Sequence, residues 1–196
     1  DYLDTRSIPD FPGAYNGLQV EGSRDVRRVA VAVDACLATI HEASALQADL
    51  LLVHHGLFWG ANAPLTGAYF KRVKALIDSG LALYSSHLPL DAHPEVGNNH
   101  VLARSLALEV TGRFAAREGV ELGVLCDTDD TREAVADRLS ALLAVKPLCI
   151  FSGTERVCRV GIVTGGAGDW TPKAAEARCD LFITGEIRYH SALEAR

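Results

Sequence analysis

Two stretches of this chain, residues 27–56 and 158–187, can be laid over one another without a gap at a constant offset of 131 residues. RRVAVAVDACLATIHEASALQADLLLVHHG falls on CRVGIVTGGAGDWTPKAAEARCDLFITGEI, so that Val29 meets Val160, Ala43 meets Ala174, Asp49 meets Asp180 and Leu50 meets Leu181. Each stretch reads as a strand, a loop, a helix and a second strand opened by Asp. Two such βαβ units commit the chain to the α/β class, whether they arose by duplication or only share the hydrophobic pattern that every βαβ unit has. The overlay also sets His54 over Gly185 and His55 over Glu186. These positions are the carboxyl ends of corresponding strands, where open α/β sheets present their ligand sites.

Around this repeat, strand-like apolar runs are expected at residues 28–33, 50–53, 81–84, 148–151, 159–163 and 181–184. Apolar residues at intervals of three and four predict helices over 35–46, 68–78, 100–108 and 132–143. Asp129 or Asp130 followed by Thr131 supplies an N-cap for the last of these, and Gly80 stops the second. Residues 118–131 are polar and turn-rich, which reads as a connector between two lobes. The expected organisation is a first α/β lobe over 1–117, then the connector and a second α/β lobe over 118–196. A length of 196 residues suits one sizeable core or two small lobes. The chain opens without Met and closes at Arg196 within helical spacing, as a portion of a longer product truncated at its C-terminus would.

Composition removes several function classes. Apolar runs such as Leu50–Val53 are far shorter than the roughly 20 residues that span a bilayer, and no charged segment with a long apolar stretch opens the chain, so a cytoplasmic protein is expected. Nineteen basic against 25 acidic residues give a formal charge of −6 with no block of Lys or Arg. Sequence-independent binding to nucleic acid is therefore not expected, and a small ligand or a protein partner is. The five cysteines are an odd number, widely spaced and without a CxxC pair, which reads as reduced and mostly buried residues rather than a disulfide framework or a thiolate zinc site.

His54 and His55 follow the apolar run LLLV and precede Gly56, where a strand leaves its sheet. A neutral imidazole is the commonest metal ligand, and adjacent histidines at a strand end can each address one ion of a pair about 3.5 to 4 Å apart. A second cluster, His87, Asp91, His93, Glu95, Asn98, Asn99 and His100, crowds the loop after the strand at Leu81. Asp91 is its best bridging carboxylate, because two oxygens can hold two cations at once. Outside such a site, Asp91 would form a turn beside Pro89, and His93 and His100 would be a loop residue and a helix start. The glycine-rich TGGAGDW from Thr164 to Trp170 either presents backbone N–H groups to an anion or is simply a tight turn. Glu186, at its strand end, is a candidate catalytic acid or base, or else an acid satisfying the start of a helix. His190 lies about one helical turn further on.

The segments YNGLQVEG at Tyr15, ADLLLVHHGLFW at Ala48, HLPLDAHPEVGNN at His87, VGIVTGGAGD at Val160 and DLFITGEIRYHSALEA at Asp180 occur in an order that resembles the Nif-three-like dinuclear metal-binding family, also labelled GTP cyclohydrolase 1 type 2. The resemblance covers nearly the whole chain. It implies two interlocked α/β lobes of similar topology with a dinuclear metal site between them, in a ring-shaped homohexamer. By motif it implies His54 and His55 as metal ligands, Asp91 as the bridging ligand and Glu186 close to the metals, with two divalent ions such as zinc, iron or manganese as cofactors. The implied activity is hydrolysis of a small molecule, with imidazole-ring opening of a nucleotide such as GTP as the named reaction. A metal-dependent phosphodiesterase uses the same logic, and a non-catalytic metal-binding ring that recruits a partner is the reading from another class. Members of the family continue past the ALEA helix into a strand and a Gly-His…Glu motif that completes the metal site. This chain ends at Arg196 before that motif, and His190 and Glu194 belong to the preceding helix.

Overall fold

A computed structural model describes residues 2–60 and 63–196. They form a mixed α/β structure with two four-stranded sheets, and contacts group the chain into residues 1–90 and 91–196. Residues 91–117, read with the first lobe from sequence, are thus grouped with the second.

In the first unit the sheet has the order β1-β4-β3-β2, built from β1 (Gly17–Val20), β2 (Val29–Asp34), β3 (Leu50–His55) and β4 (Ala82–Ser85). β2, β3 and β4 run parallel and β1 is antiparallel to β4. The parallel crossovers are α1 (Leu37–Ala45) and α2 (Gly67–Ser79). β3 is interior, which is why it needs the continuous apolar run LLLV. Its Leu51 and Val53 are buried with Ile40, Leu76, Leu81 and Leu83. Gly80 ends α2 in a left-handed conformation, φ 65°, that a glycine adopts without strain.

The second unit opens with α3 (Leu88–Ala92), which bridges the division, and α4 (Asn98–Ser105). Its sheet has the order β5-β6-β7-β8: β5 (Glu109–Arg117), β6 (Val120–Thr131), β7 (Arg156–Val163) and β8 (Leu181–Thr184). α5 (Arg132–Leu143) follows β6 and is capped by the Thr131 hydroxyl, while α6 (Thr171–Glu176) and α7 (Tyr189–Glu194) flank β8. Leu106, Val124, Cys126, Val157, Val160 and Ile162 form the core.

Three sequence expectations need correction. Residues 118–131 are not a connector, because all but the Glu118-Gly119 turn belong to β6, paired on both sides. Their charges hid the strand: Asp127 and Asp129 face Arg159 and Arg156 of β7, while Leu122, Val124 and Cys126 turn inward. Leu148–Phe151 forms no strand; it follows Pro147 without a ladder partner, and Leu148 is 79% exposed. Of the five free cysteines only Cys126 is fully buried, and Cys149 and Cys158 are exposed. Burial pushes the Cys126 and Cys179 thiols up to about 11, which keeps both protonated and inert.

The repeat survives in atomic detail. Val29 pairs with Leu50 and Val160 with Leu181, in parallel register. Asp49 Oδ2 accepts the backbone N–H groups of Arg27 and Arg28 at 3.0 and 2.9 Å; Asp180 Oδ2 accepts those of Cys158 and Arg159, both at 2.9 Å. Gln47 and Arg178, again 131 apart, are both left-handed, with φ 55° and 58°. No helix among the described residues is long and apolar enough to cross a membrane.

Candidate metal centre

β3 is paired to β4 only as far as Val53 with Ser85, while on its other side Asp34 of β2 still faces His55. Where the ladder with β4 ends, consecutive side chains are no longer held to opposite faces of a sheet. The His54 and His55 rings accordingly lie 4.6 Å apart, centre to centre. The turn that follows is held by Gln19 of β1, whose Oε1 accepts the backbone N–H groups of Leu57 and Phe58. A Cβ on Gly56 would meet the Gln19 amide at 2.3 Å, so any larger residue there would push that side chain off the turn.

β4 delivers a third imidazole. His87, two residues past the strand, has its ring 4.8 Å from that of His54 and 5.5 Å from that of His55. One ligating nitrogen from each of the three lies within 4.8 Å of the others. Each ring is held through Nδ1: His54 by the Ser86 carbonyl at 3.2 Å, His55 by Asp34 Oδ1 at 2.8 Å and His87 by Asp10 Oδ1 at 2.9 Å. Fixing one ring nitrogen leaves the other for a metal, which is how ligating histidines are oriented. Trp59 stands edge-on to His87 at 4.9 Å, and Phe11 lies 5.7 Å away on the same ring.

The two carboxylates differ. Asp34 is 63% exposed, whereas the Asp10 side chain is 5% exposed. Burial pushes the Asp10 carboxyl up, but hydrogen bonds from His87, Asn16, Phe11 and Leu88 outweigh it and hold the pKa down at about 2. Asp10 is therefore ionised beside His87 at neutral pH.

Of the sequence-predicted ligands, the described residues bring together His54 and His55, joined by His87, whose role the sequence left open. Asp91 lies on α3, grouped with the second unit, where its Oδ1 accepts the Asn98 side-chain N–H at 2.8 Å. His93 Nδ1 accepts the N–H groups of Glu95 and Val96, so it shapes its own loop. His100 is a buried helix residue, and burial together with Arg113, Arg104 and His93 lowers its pKa. Glu186 is exposed past β8 and lies over Gly166, where a Cβ would meet its Oε1 at 2.8 Å. The glycine turn is drawn inward, because Gly165 O accepts from Ala167, Gly185, Glu186 and the Thr184 hydroxyl, which is the tight-turn reading. His190 is exposed 3.7 Å from Asp169. Asp10 and Asn16 were missed, since they reach His87 over 77 and 71 residues with no local pattern to mark them.

An α/β protein whose strand ends gather three imidazoles is a candidate metalloprotein. Residues 12–196 match the DUF34/NIF3 (NGG1p interacting factor 3) family, and the chain belongs to it. A relative from Pyrococcus abyssi named GTP cyclohydrolase 1 type 2 homolog is 42% identical over 192 residues, covering 96% of this chain and 76% of the relative. One of the same name from Salmonella typhimurium is 41% identical, covering 100% and 78%. Among solved structures, the protein ybgI, described as of unknown function, superposes with a TM-score of 0.88 at 38% identity, covering 98% of this chain and 78% of that one.

Proposed function

We propose that this protein is a divalent-metal-dependent hydrolase in which His54, His55 and His87 supply imidazole ligands. The observation that carries the reading is the three-ring cluster with every Nδ1 engaged and the ligating nitrogens within 4.8 Å. Three neutral nitrogen donors fit zinc, iron or manganese. From the family resemblance, Asp91 is proposed as the carboxylate ligand and Glu186 as the acid or base that moves a proton; sequence motif supports both. Bound divalent ions would supply a water of lowered pKa and an electrophile for the substrate. The protein's own share is to hold the imidazoles in place and to flank them with the half-exposed rings of Phe11 and Trp59, which suit a substrate with a flat apolar portion.

A nucleotide such as GTP is the substrate class that the relatives' names suggest. A ring-shaped homohexamer is proposed on the resemblance alone. The test is metal analysis of the purified protein, followed by a hydrolysis screen of nucleoside triphosphates and phosphodiesters with and without added ions. Metal bound near two per chain, lost in His54→Ala and His55→Ala, with turnover that needs the ion, is the expected result. Metal retained by a variant lacking all three histidines would refute the assignment. Stoichiometric metal with no turnover of any substrate would favour the non-catalytic ring.

A further inference from the structure

We infer that Asp10 is the positioning residue of the centre: its carboxylate fixes His87 in the Nδ1–H tautomer and so leaves Nε2, with its lone pair, as the atom offered to the cluster. The inference rests on the reading of the three imidazoles as a metal-ligand set, and deepens it.

The argument is one of donors and acceptors. Among the described residues four groups reach the Asp10 carboxylate: Phe11 N at 2.6 Å on Oδ1, Asn16 Nδ2 at 2.8 Å and Leu88 N at 3.0 Å on Oδ2, and His87 Nδ1 at 2.9 and 3.2 Å to the two oxygens. The two backbone nitrogens can only donate. The Asn16 amide has no freedom to turn over, because its Oδ1 accepts the backbone N–H of His87 at 2.8 Å, which points Nδ2 at Asp10. An ionised carboxylate has no proton to give, so the hydrogen in the remaining contact belongs to His87 Nδ1. Elsewhere in the cluster the Nδ1 partners are of other kinds: His54 meets the Ser86 carbonyl at 3.2 Å, and the partner of His55, Asp34, faces solvent. Of the two carboxylates on the rings, Asp10 is the buried one, and a buried anion tolerates only a surrounding of donors.

Asp10→Asn exposes this logic. The amide oxygen is drawn to the Oδ2 position, where the two donors Asn16 and Leu88 outnumber the one backbone donor, Phe11, on Oδ1; the new NH2 then displaces the Phe11 N–H and faces His87 Nδ1. Nδ1 must then accept, the proton moves to Nε2, and the lone pair offered to the cluster is lost.

The experiment uses the whole chain, labelled with ¹⁵N-histidine and stripped of metal by a chelator. Long-range ¹H–¹⁵N correlation spectra distinguish the two tautomers, with the His87 signals assigned by their loss in His87→Gln. We expect Nδ1–H for His87 in the parent and Nε2–H in Asp10→Asn. Zn²⁺ titration against a chromogenic chelator should then show binding weakened by about 10- to 100-fold in Asp10→Asn, and less in Asp34→Asn. An Nε2–H His87 in the parent overturns the inference, and this measurement needs no variant to fold. Equal Zn²⁺ affinity in parent and Asp10→Asn despite the tautomer change also overturns it. Tautomers as expected with no Zn²⁺ bound by either protein would sink the metal reading while upholding the role of Asp10 on His87.

Discussion

Acid should attack the first unit through Asp10. A carboxyl ordinarily near 3.8 is held at about 2 in the folded protein by His87, Asn16, Phe11 and Leu88 against the opposing effect of burial. One pKa unit is worth about 1.4 kcal/mol, so the ionised group contributes about 2 kcal/mol to folding. Because the folded pKa lies below the unfolded one, that contribution is complete above about pH 4 and disappears as pH falls through about 2. The chain has two tryptophans, Trp59 in the first unit and Trp170 in the second. Urea unfolding of metal-free Trp170→Phe protein, followed by Trp59 emission between pH 5 and pH 2, therefore reports on the first unit. Adding Asp10→Asn removes the titrating group, so its stability should fall less over this interval, by about 2 kcal/mol. Parallel pH profiles for the two proteins would refute the assignment of Asp10 as a stabilising buried anion. The comparison between the two proteins is what matters, since Asp49 in the same unit also has a lowered pKa, chiefly through the Arg28 and Arg27 backbone N–H groups.

Gly161→Ala should destabilise the second unit by about 1 to 3 kcal/mol, since its Cβ would lie 2.8 Å from Cys179 Sγ and 2.9 Å from the Phe114 ring; an unchanged thermal midpoint would mean that ring is free to move. Gln19→Ala should release the Leu57 and Phe58 N–H groups and weaken Zn²⁺ binding while leaving overall helicity intact, as circular dichroism would show. Glu186→Gln should lower any metal-dependent turnover at unchanged metal content, whereas loss of metal in parallel would make Glu186 a ligand.

The parts of the fold that could be read in advance are those whose instructions are local. The LLLV run and the helical spacing of residues 132–143, which coincide with the ends of α5, needed no distant partner to be seen. β6 escaped because its acidic residues look like those of a solvated loop until the arginines of β7 stand beside them. Residues 148–151 erred the other way, apolar enough for a strand but without a neighbour to pair with. At the candidate site, the His-His-Gly signal was legible because it sits on one strand end. His87 was visible as a residue but not in its role, and Asp10 was invisible because a hydrogen bond spanning 77 residues leaves no trace in local pattern.

The matched aspartates Asp49 and Asp180 have a consequence for how such a protein can change. Each ties the start of its second strand to the start of its first, so each βαβ unit is latched at the amino end of its own strands. The opposite ends are tied differently in the two copies, by His55 to Asp34 in one and by Gly185 and Glu186 to the Gly165 carbonyl in the other. One copy carries Val-His-His-Gly there and the other Thr-Gly-Glu-Ile, side by side in the overlay. A latch at one end and licence at the other lets the chemistry of a strand tip be rewritten by a few substitutions without loosening the frame that presents it.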